Sequence, residues 1–538
     1  MRKIESLFIS GAFLATVLGA GIAIYNHDGT TRPGDTYHFP TSKYGAFIAA
    51  QHAIYVNDFG HANEFMASLD DVDYKAVQTS KYISEFLSGH MPADAAELRD
   101  DKTPAARFVY DAYLVNNDDW DALYKRHKSD ESALVAPFRI WSAVQKNRIT
   151  ETMKFIDKLP TNASWKSFVR GQIYAEIGKY DQAATEFAKV RTDFMNVNDY
   201  MYIMSFYTHH DMNDAANKLR ADFTSSPGGM YMLQYTDYPA WETISGYKNA
   251  MAFSIIQNVS HTQIMMYSDL ALLMLRFAQI TAPGFGPDSD IINYYMGQFL
   301  LNNDGNFDEY FNRVDDASPF APFVWMRRAD TAGDARMLRD IVRAHPLFAP
   351  GVMNLVLYYT QHGDMRHALR TLDSALKNDD LPENGRAFFM KMRAQVHYAF
   401  GKIDAAAHDI KSASEVLPMD ADIMLMQAKI WAAQNRNLDD AYEYAMSVVR
   451  RNPSDTLAWD AVGVVVAARE GLDAGLAVLA RVGDVSSNCS LLFMHLGDMY
   501  AEMGDNVRAR DAYIRAIDLS SDGLVSIPVI NKKIRKLK

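Results

Sequence analysis

Histidine and aspartate side chains that stand close together could bind a metal ion or simply form a solvated turn, and residues 209–214 hold such a group. His209 and His210 are adjacent, and Asp211 and Asp214 follow them in a stretch typical of a turn. A zinc site would need a ligand pattern such as HExxH or paired CxxC, and neither occurs. The GxSxG motif of serine hydrolases and the phosphate-binding GxxxxGKS or GxxxxGKT loop are also absent. The sequence therefore predicts no catalytic residues, no metal site and no cofactor.

Glycines at regular intervals predict the elements that would carry any functional side chain. Gly463 and Gly497 are 34 residues apart, the period of a repeat built from two short helices. Within residues 164–190, Gly171 would let a neighbouring helix approach closely. Gly178 would end the first helix of a hairpin, because glycine adopts the left-handed conformation without strain.

Several neighbouring segments share this pattern and resemble the tetratricopeptide repeat (TPR) family. Each pairs a glycine that ends the first helix with an alanine on the buried face of the second: Gly178 with Ala183, Gly363 with Ala368, Gly401 with Ala406, and Gly504 with Ala509. In the segment that ends at Pro453, the turn near Asn437 holds one additional residue. The resemblance implies an all-α fold, a right-handed α-solenoid of stacked helix-turn-helix (TPR and TPR-like) repeats, which binds other proteins or peptides.

The resemblance also implies that the first helices line an inner groove, which gives the candidate binding residues. Three polar residues directly follow the small position of a first helix, and three more lie one turn later: Gln172, Gln395 and Asp498, then Glu176, Tyr398 and Glu502. Some family members hold the C-terminal carboxylate of a peptide with lysine and asparagine at groove positions. Lys391 is the single match to that pattern here, because no asparagine follows at Gln395 or Tyr398.

In the N-terminal part of the chain, turn residues still recur at about the repeat spacing, although the other residues match the repeat pattern less well. Residues suited to a left-handed turn recur every 28 to 32 residues, at Asn57, Gly89, Asn117, Asn147, Gly178 and His210. Asparagine can replace glycine there because it tolerates the left-handed conformation. Residues 44–224 are therefore predicted to form degenerate TPR-like helical hairpins of the same solenoid.

The pattern is irregular over residues 225–330 and becomes regular again over 331–519. Helices are still predicted at 269–281 and 291–301, with a break at the Pro and Gly residues 283–287. The irregular region is interpreted either as diverged repeats with a longer loop or as a hinge between two solenoid arms. Residues 520–538 are predicted to form a capping helix with a basic tail, whose apolar residues cover the last repeat or whose charges contact anionic lipid.

The N-terminus carries an apolar stretch without charged residues at 6–26, preceded by Arg2 and Lys3. Such a stretch is either a cleaved signal peptide, with Ala20 or Ala23 before the cleavage point, or a retained membrane anchor. Both interpretations predict export, with a periplasmic location and an inner-membrane tether if the stretch is retained. Residues 27–43 would then form a polar linker.

The net charge of the chain bears on which partners it could bind, and its cysteine content bears on whether it could form a disulfide. The chain of 538 residues has a formal net charge of −12, and the charges are spread along it. This distribution argues against nucleic acid as a partner. The single cysteine, Cys489, excludes an internal disulfide.

These observations predict a non-enzymatic scaffold or adaptor that binds proteins or peptides through its groove. Over residues 44–538 the layout is similar to exported TPR proteins of Gram-negative bacteria, which implies a place in the bacterial cell envelope. An alternative is a regulatory subunit of an envelope enzyme that acts on peptidoglycan or polysaccharide. Catalysis by residues 225–330 would require clustered buried polar side chains there.

Overall fold

The computed structural model describes residues 42–69, 74–132, 134–224, 226, 245–260, 269–303, 305–485 and 488–537. Within these ranges every regular element is an α-helix or a short 3₁₀-helix, which confirms the all-α prediction. The predicted hydrophobic helix at 6–26 and most of the linker lie outside the described residues. No helix of the described part is long and apolar enough to cross a membrane.

The chain divides into two compact units. The first contains the described residues up to Leu219 and from 245 to Val324, and the second contains 220–224, 226 and the described residues from Trp325 onward. The boundaries fall within the helices Asn213–Thr224 and Ala321–Ala332.

The first unit is built from helices that pack as hairpins, beginning with α1 against α2. In chain order the helices are α1 (Lys43–Tyr55), α2 (Phe59–Ala67), α3 (Lys75–Leu87), α4 (Pro104–Asn116), α5 (Trp120–His127), α6 (Ala136–Gln145), α7 (Ile149–Lys158), α8 (Ala163–Glu176), α9 (Tyr180–Phe187), α10 (Val197–His209), α11 (Asn213–Thr224), α12 (Tyr247–Ser260), α13 (Asp269–Thr281), α14 (Asp290–Asn302), α15 (Asp308–Phe311) and α16 (Ala321–Ala332). Short 3₁₀-helices lie at Ala95–Asp100, Thr192–Phe194 and Pro283–Phe285. The predicted helix at 269–281 is α13, and the one at 291–301 lies within α14.

The second unit continues with hairpins of more uniform length. Its helices are α17 (Ala335–Ala344), α18 (Ala349–Gln361), α19 (Met365–Leu376), α20 (Glu383–Ala399), α21 (Ile403–Val416), α22 (Ala421–Ala433), α23 (Leu438–Arg451), α24 (Thr456–Glu470), α25 (Leu472–Val485), α26 (Ser490–Glu502), α27 (Asn506–Asp518) and α28 (Ile527–Lys536), with a 3₁₀-helix at Ser520–Asp522. First helices also pack on the first helices of the next repeat, α20 on α22, α22 on α24 and α24 on α26. This inner row of helices gives the unit its concave side.

In several hairpins, close approach of the two helices depends on a glycine of the first helix. A Cβ atom built on Gly171 would lie 2.4 Å from Cε1 of Phe187, which follows sixteen residues later. The same step joins Gly463 to Leu479, with a Cβ to Cδ2 distance of 2.2 Å. No real Cβ could occupy either place, so the large residue of the second helix fills the space that the glycine leaves.

The turns within hairpins end the first helix with a left-handed residue and start the second with an aspartate or another N-cap. Gly363 has φ +75°, and Asp364 accepts a hydrogen bond from the His367 backbone N–H at 3.1 Å. Gly504 and Asp505 form the same turn, where Asp505 accepts from Arg508 N–H at 3.0 Å. The side chain satisfies an amide of the first helical turn that has no intrahelical partner.

Two of the predicted turn residues are wrong by one position. The left-handed residues are Asp118 and Asp211, with φ +55° each, rather than Asn117 and His210, whose φ values are −88° and −107°. In each of these turns the left-handed residue lies two positions before the first residue of the second helix. The point at which the second helix begins therefore determines which residue is left-handed, and aspartate tolerates the left-handed conformation there.

The additional residue predicted near Asn437 is present as a second left-handed residue. Asn435 and Asn437 both have φ +49°. The longer turn joins α22 to α23, and Ala441 and Ala445 of α23 are still fully buried. The insertion is therefore absorbed by the turn and leaves the packing register of the hairpin intact.

Candidate functional site

A cavity of about 1030 Å³ lies on the concave side of the second unit. Its walls come from the first helices α20, α22, α24 and α26, from the inner end of α18, and from residues 523–533. Four of the predicted groove residues line it, namely Gln395, Tyr398, Asp498 and Glu502. The structure thus places them around one space, and their role in binding stays a prediction.

Two residues of the cavity wall belong to a buried charged cluster. The carboxylate of Asp460 on α24 is fully buried, and its Oδ1 lies 2.6 Å from Nδ1 of His495 on α26. The Nζ of Lys429 on α22 lies 3.6 Å from the other oxygen, Oδ2. Lys429 and His495 line the cavity, each less than a tenth exposed. Three successive repeats therefore contribute one side chain each to this cluster.

The charge state of Asp460 follows from its surroundings. Burial alone would raise the pKa of this carboxyl group, because a charged group loses hydration there. The hydrogen bond and charge of His495, together with the charge of Lys429, outweigh burial and hold the pKa of Asp460 below its usual value. The cluster therefore contains an ionised carboxylate that fixes the orientation of the imidazole and of the ammonium group.

Asp498 anchors one end of the cavity. Its Oδ1 accepts a hydrogen bond from the Tyr513 hydroxyl at 2.6 Å, and both of its oxygens accept from Lys533 Nζ at 2.6 Å. Burial and the bond to Asp498 raise the pKa of Tyr513 well above its usual value. The Asp498 carboxylate is thus paired within the protein, while Glu502 lies exposed one turn further along.

Lys391 and Tyr398 have settings that the sequence did not predict. The ammonium group of Lys391 pairs with Asp422 at 2.9 Å and with Asp420 at 3.3 Å. Burial would lower the pKa of Lys391, but these two carboxylates raise it. Burial, together with the carboxylates of Asp460 and Asp498, raises the pKa of Tyr398 well above its usual value. The ammonium group of Lys391 therefore forms ion pairs within the protein, so it is not a free partner for the C-terminal carboxylate of a peptide.

Sequence reasoning missed Lys429, although a signal was present. Lys429 directly follows Ala428, the small position of α22, in the register that selected Gln395 and Asp498. Asp460 and His495 lie three and two positions before Gly463 and Gly497. Only the stacking of α22, α24 and α26 brings these three side chains together.

The other two predicted groove residues lie in the first unit, where the chain itself occupies the concave side. Helices α12 and α13 pack against the first helices α3, α4, α6 and α8. Gln172 is fully buried under α12, where its Oε1 lies 3.4 Å from the Ser254 hydroxyl. The carboxylate of Glu176 accepts a hydrogen bond from the Gly246 backbone N–H at 3.0 Å.

Specific contacts fix this inner hairpin of the first unit. The indole N–H of Trp141 donates to the Ser254 hydroxyl at 3.0 Å. The ring of Phe277 on α13 packs edge-to-face with Phe108 and Phe138, at centroid distances of 5.6 and 5.2 Å. The buried guanidinium of Arg276 donates from Nε to the Leu87 carbonyl at 2.6 Å. Gln172 thus contacts α12, and Glu176 contacts Gly246 directly before it.

The histidine pair at the end of α10 serves packing. The ring of His210 stacks on Tyr180 with a centroid distance of 3.9 Å, and His209 Nδ1 lies 2.8 Å from the Ser205 carbonyl oxygen. Among the described residues no group of three or more His, Cys, Asp or Glu side chains is arranged to hold a metal ion. Cys489, at the start of α26, is buried, and burial raises the pKa of its thiol.

The sequence profile of the tetratricopeptide repeat family matches residues 391–456, which run from within α20 into the start of α24. Together with the hairpins and turns described above, this match shows that the chain contains tetratricopeptide repeats. Tetratricopeptide repeat proteins generally act as non-catalytic scaffolds that bind other proteins or peptides.

Solved structures similar to this chain include TPR proteins. YrrB, described as a TPR protein with an unusual peptide-binding site, is 20% identical, and the match covers 37% of this chain and 100% of YrrB with a TM-score of 0.23. A tetratricopeptide repeat protein from Parabacteroides merdae is 15% identical over 40% of this chain and 90% of its own, with a TM-score of 0.28. The Cut9–Hcn1 hetero-tetramer of the APC/C gives 10% identity, 92% and 96% coverage, and a TM-score of 0.31. A search of curated proteins finds no match.

Proposed function

We propose that the second unit binds an extended or helical segment of a partner protein in its inner cavity and that the protein acts as a non-enzymatic scaffold. The observation that carries this proposal is the cavity of about 1030 Å³ on the concave side of the repeats. Its volume reaches the upper limit of about 300–1,000 Å³ that is typical of small-molecule pockets, and its walls span several repeats, as suits a longer ligand.

The chemistry of the walls fits a peptide. Apolar side chains such as Val464 and Met426 alternate with hydrogen-bonding groups such as Gln395, Lys429 and Glu502. Backbone amides of a bound segment need both donors and acceptors, and apolar side chains of the segment need apolar surface. The paired Asp460 carboxylate keeps Lys429 and His495 in place before any ligand arrives, which reduces the entropy that binding would lose.

We further propose that the protein works in the bacterial cell envelope as an adaptor. The support is the uncharged apolar stretch at residues 6–26, which is suited to a signal peptide or a membrane anchor. N-terminal sequencing of the protein from fractionated native cells tests this. A chain that starts at Met1 in the inner membrane would support the anchor, and one that starts after Ala20 or Ala23 in the periplasm would support cleavage. Intact chain in the cytosol would contradict export.

Selection from a random twelve-residue peptide library on the immobilised full-length protein tests the binding proposal. Val464 lines the cavity, so Val464→Trp would fill part of it. Ile514 is 47% exposed and lies outside the cavity wall, so Ile514→Trp is the matched control. We expect peptides that bind the wild type and the control alike but lose at least about tenfold in affinity on Val464→Trp. Peptides with equal affinity for all three proteins, or no selected peptide, would contradict the proposal.

A further inference from the structure

The C-terminal segment of the second unit contacts α18, the first helix in the chain that lines the cavity. After α27 the chain passes through the 3₁₀-helix Ser520–Asp522 into α28. The side-chain Nε2 of Gln361, at the end of α18, donates to the Ser520 carbonyl at 3.1 Å. A Cβ built on Gly363 would lie 3.0 Å from Cβ of Pro528, so these two residues are in direct contact. We call residues 520–537 the C-terminal clasp.

This contact closes a circuit of packed helices around the cavity. Each helix from α18 to α28 packs on the next in the chain, and the clasp then contacts α18. Residues from both partners of this contact line the cavity, namely Val356, Leu357 and Thr360 of α18 and clasp residues such as Val525 and Val529. An interior segment of a long partner chain could therefore enter from the side only if the circuit opened.

The clasp is held much more firmly on one side than on the other. On the side of the last repeat, Ile530 is fully buried against Ala509, Tyr513 and Ala516, and Lys533 pairs with Asp498. On the side of α18, the contact includes the hydrogen bond from Gln361, the packing of Gly363 on Pro528 and the packing of Gly523 near Leu357. The α18 contact is thus the weak point of the circuit.

We propose that the C-terminal clasp is a gate: it separates from α18 to admit the partner segment and closes over it, an inference that rests on the proposed peptide-binding function. Local openings of this kind draw on the least stable contacts of a structure.

Thiol labelling inside the cavity tests the gate without any peptide. The full-length protein would carry Cys489→Ala and Val464→Cys, so that the single thiol lies in the cavity wall. The probes would be iodoacetamide, which is small, and a maleimide attached to the branch point of a two-armed polyethylene glycol, which is bulky and, like an interior segment of a partner chain, cannot enter end-on. If the gate exists, the small reagent reacts readily with the thiol introduced by Val464→Cys. The bulky reagent then reacts with this thiol only as fast as the clasp opens.

Two glycines provide a matched pair of substitutions in this background. Gly363→Ala and Gly401→Ala place alanine at almost the same left-handed φ, +75° and +74°, so both carry the same backbone strain. Only at Gly363 would the new Cβ press on Pro528, since nothing lies within 4 Å of the Cβ position at Gly401. We expect the bulky reagent to label Gly363→Ala about fivefold faster than Gly401→Ala, with little difference for the small reagent.

A second pair covers the case in which Gly363→Ala fails to fold. Gln361→Ala removes the hydrogen bond to the Ser520 carbonyl at the α18 contact, and Lys536→Ala removes an exposed charge from the clasp as its control. Faster bulky labelling of Gln361→Ala than of Lys536→Ala supports the gate. Equal rates within the folded pairs, or bulky labelling as fast as small labelling in the parent protein, would overturn it. Peptide binding with equal labelling rates would remove the gate and leave the binding function standing.

Discussion

The backbone of Gly497 lies directly against the ring of Tyr513, so that a Cβ on the glycine would be 2.5 Å from Cδ1 and Cε1 of the ring. The ring is held there by its hydroxyl, which donates to Asp498 at 2.6 Å. Gly497 thus leaves space for the Tyr513 ring, and the next residue, Asp498, holds the ring in place through the hydrogen bond. The packing of the last hairpin and the polar wall of the cavity are therefore coupled.

This relationship predicts that Gly497→Ala destabilises the second unit. Alanine normally favours a helix interior over glycine by about 0.5–1 kcal/mol, but here the methyl group would overlap the Tyr513 ring. We expect a net loss of about 1–3 kcal/mol, measured by native-state hydrogen exchange of α26 and α27. Gly483→Ala is the control, because its Cβ would make ordinary contact with Leu492 at 3.4 Å. Equal effects of the two changes would refute this account of the hairpin.

The buried cluster predicts a specific dependence of stability on pH. His495 and Lys429 hold the pKa of Asp460 below its ordinary value of about 3.9 in spite of burial. An acid with a lowered pKa in the folded state stabilises the fold above its unfolded pKa, and the contribution is lost as pH falls through the folded pKa. Removing the charge leaves Lys429 without this partner, so Asp460→Asn should cost about 3–5 kcal/mol at pH 7.

Hydrogen exchange of α24 in wild type and Asp460→Asn, followed from pH 7 downward, checks this prediction. The stability difference between the two proteins should be largest at neutral pH and should shrink below about pH 4. A difference that stays constant across this range would show that the ionised carboxylate is not what stabilises the cluster.

The corrected turn in the first unit predicts opposite effects of two neighbouring glycine substitutions. Asp211 has φ +55°, so Asp211→Gly should relieve strain and raise stability by about 0.5 kcal/mol. His210 has φ −107° and stacks on Tyr180, so His210→Gly should lower stability by about 1 kcal/mol or more. Hydrogen exchange of α10 and α11 measures both, and a stabilising His210→Gly would reverse the assignment of the turn.

Replacing a glutamate by glutamine on the concave side should affect peptide binding in the second unit but not in the first. Glu176 accepts from Gly246 in the first unit, whereas Glu502 is exposed at the cavity of the second. Glu502→Gln should weaken binding of a selected peptide about two- to fivefold, as expected for a partly exposed charge, and Glu176→Gln should leave it unchanged. Titration of the two variants by fluorescence anisotropy checks this. A larger effect of Glu176→Gln would place the binding site in the first unit.

Much of the fold could be predicted because local chemistry determines it. Gly178, Gly363, Gly401 and Gly504 all have the predicted left-handed conformation, since few residues other than glycine adopt it without strain. The helix at Asp269–Thr281 was also predicted. The turn at Asp118 was missed by one residue, because aspartate and asparagine both tolerate the left-handed conformation and only the start of the second helix decides between them.

The sites were harder to predict because they depend on contacts between distant segments. No local pattern shows that Ser254 of α12 would lie over Gln172, 82 positions earlier. The pairing of Lys391 with Asp422 likewise depends on how two repeats stack. A repeat pattern predicts which residues lie on the concave side, and the tertiary structure decides whether that side is open.

Site-specific photo-crosslinking in cells that express the protein natively tests the central claim, that a partner segment binds in the cavity of the second unit. A benzophenone amino acid would replace Gln395 or Glu502 in the cavity wall, or Ile514 outside it. The account predicts that both cavity positions cross-link the same partner protein on irradiation and that the Ile514 position does not. Cross-linking of that partner from Ile514 alone, with none from Gln395 and Glu502, would contradict it.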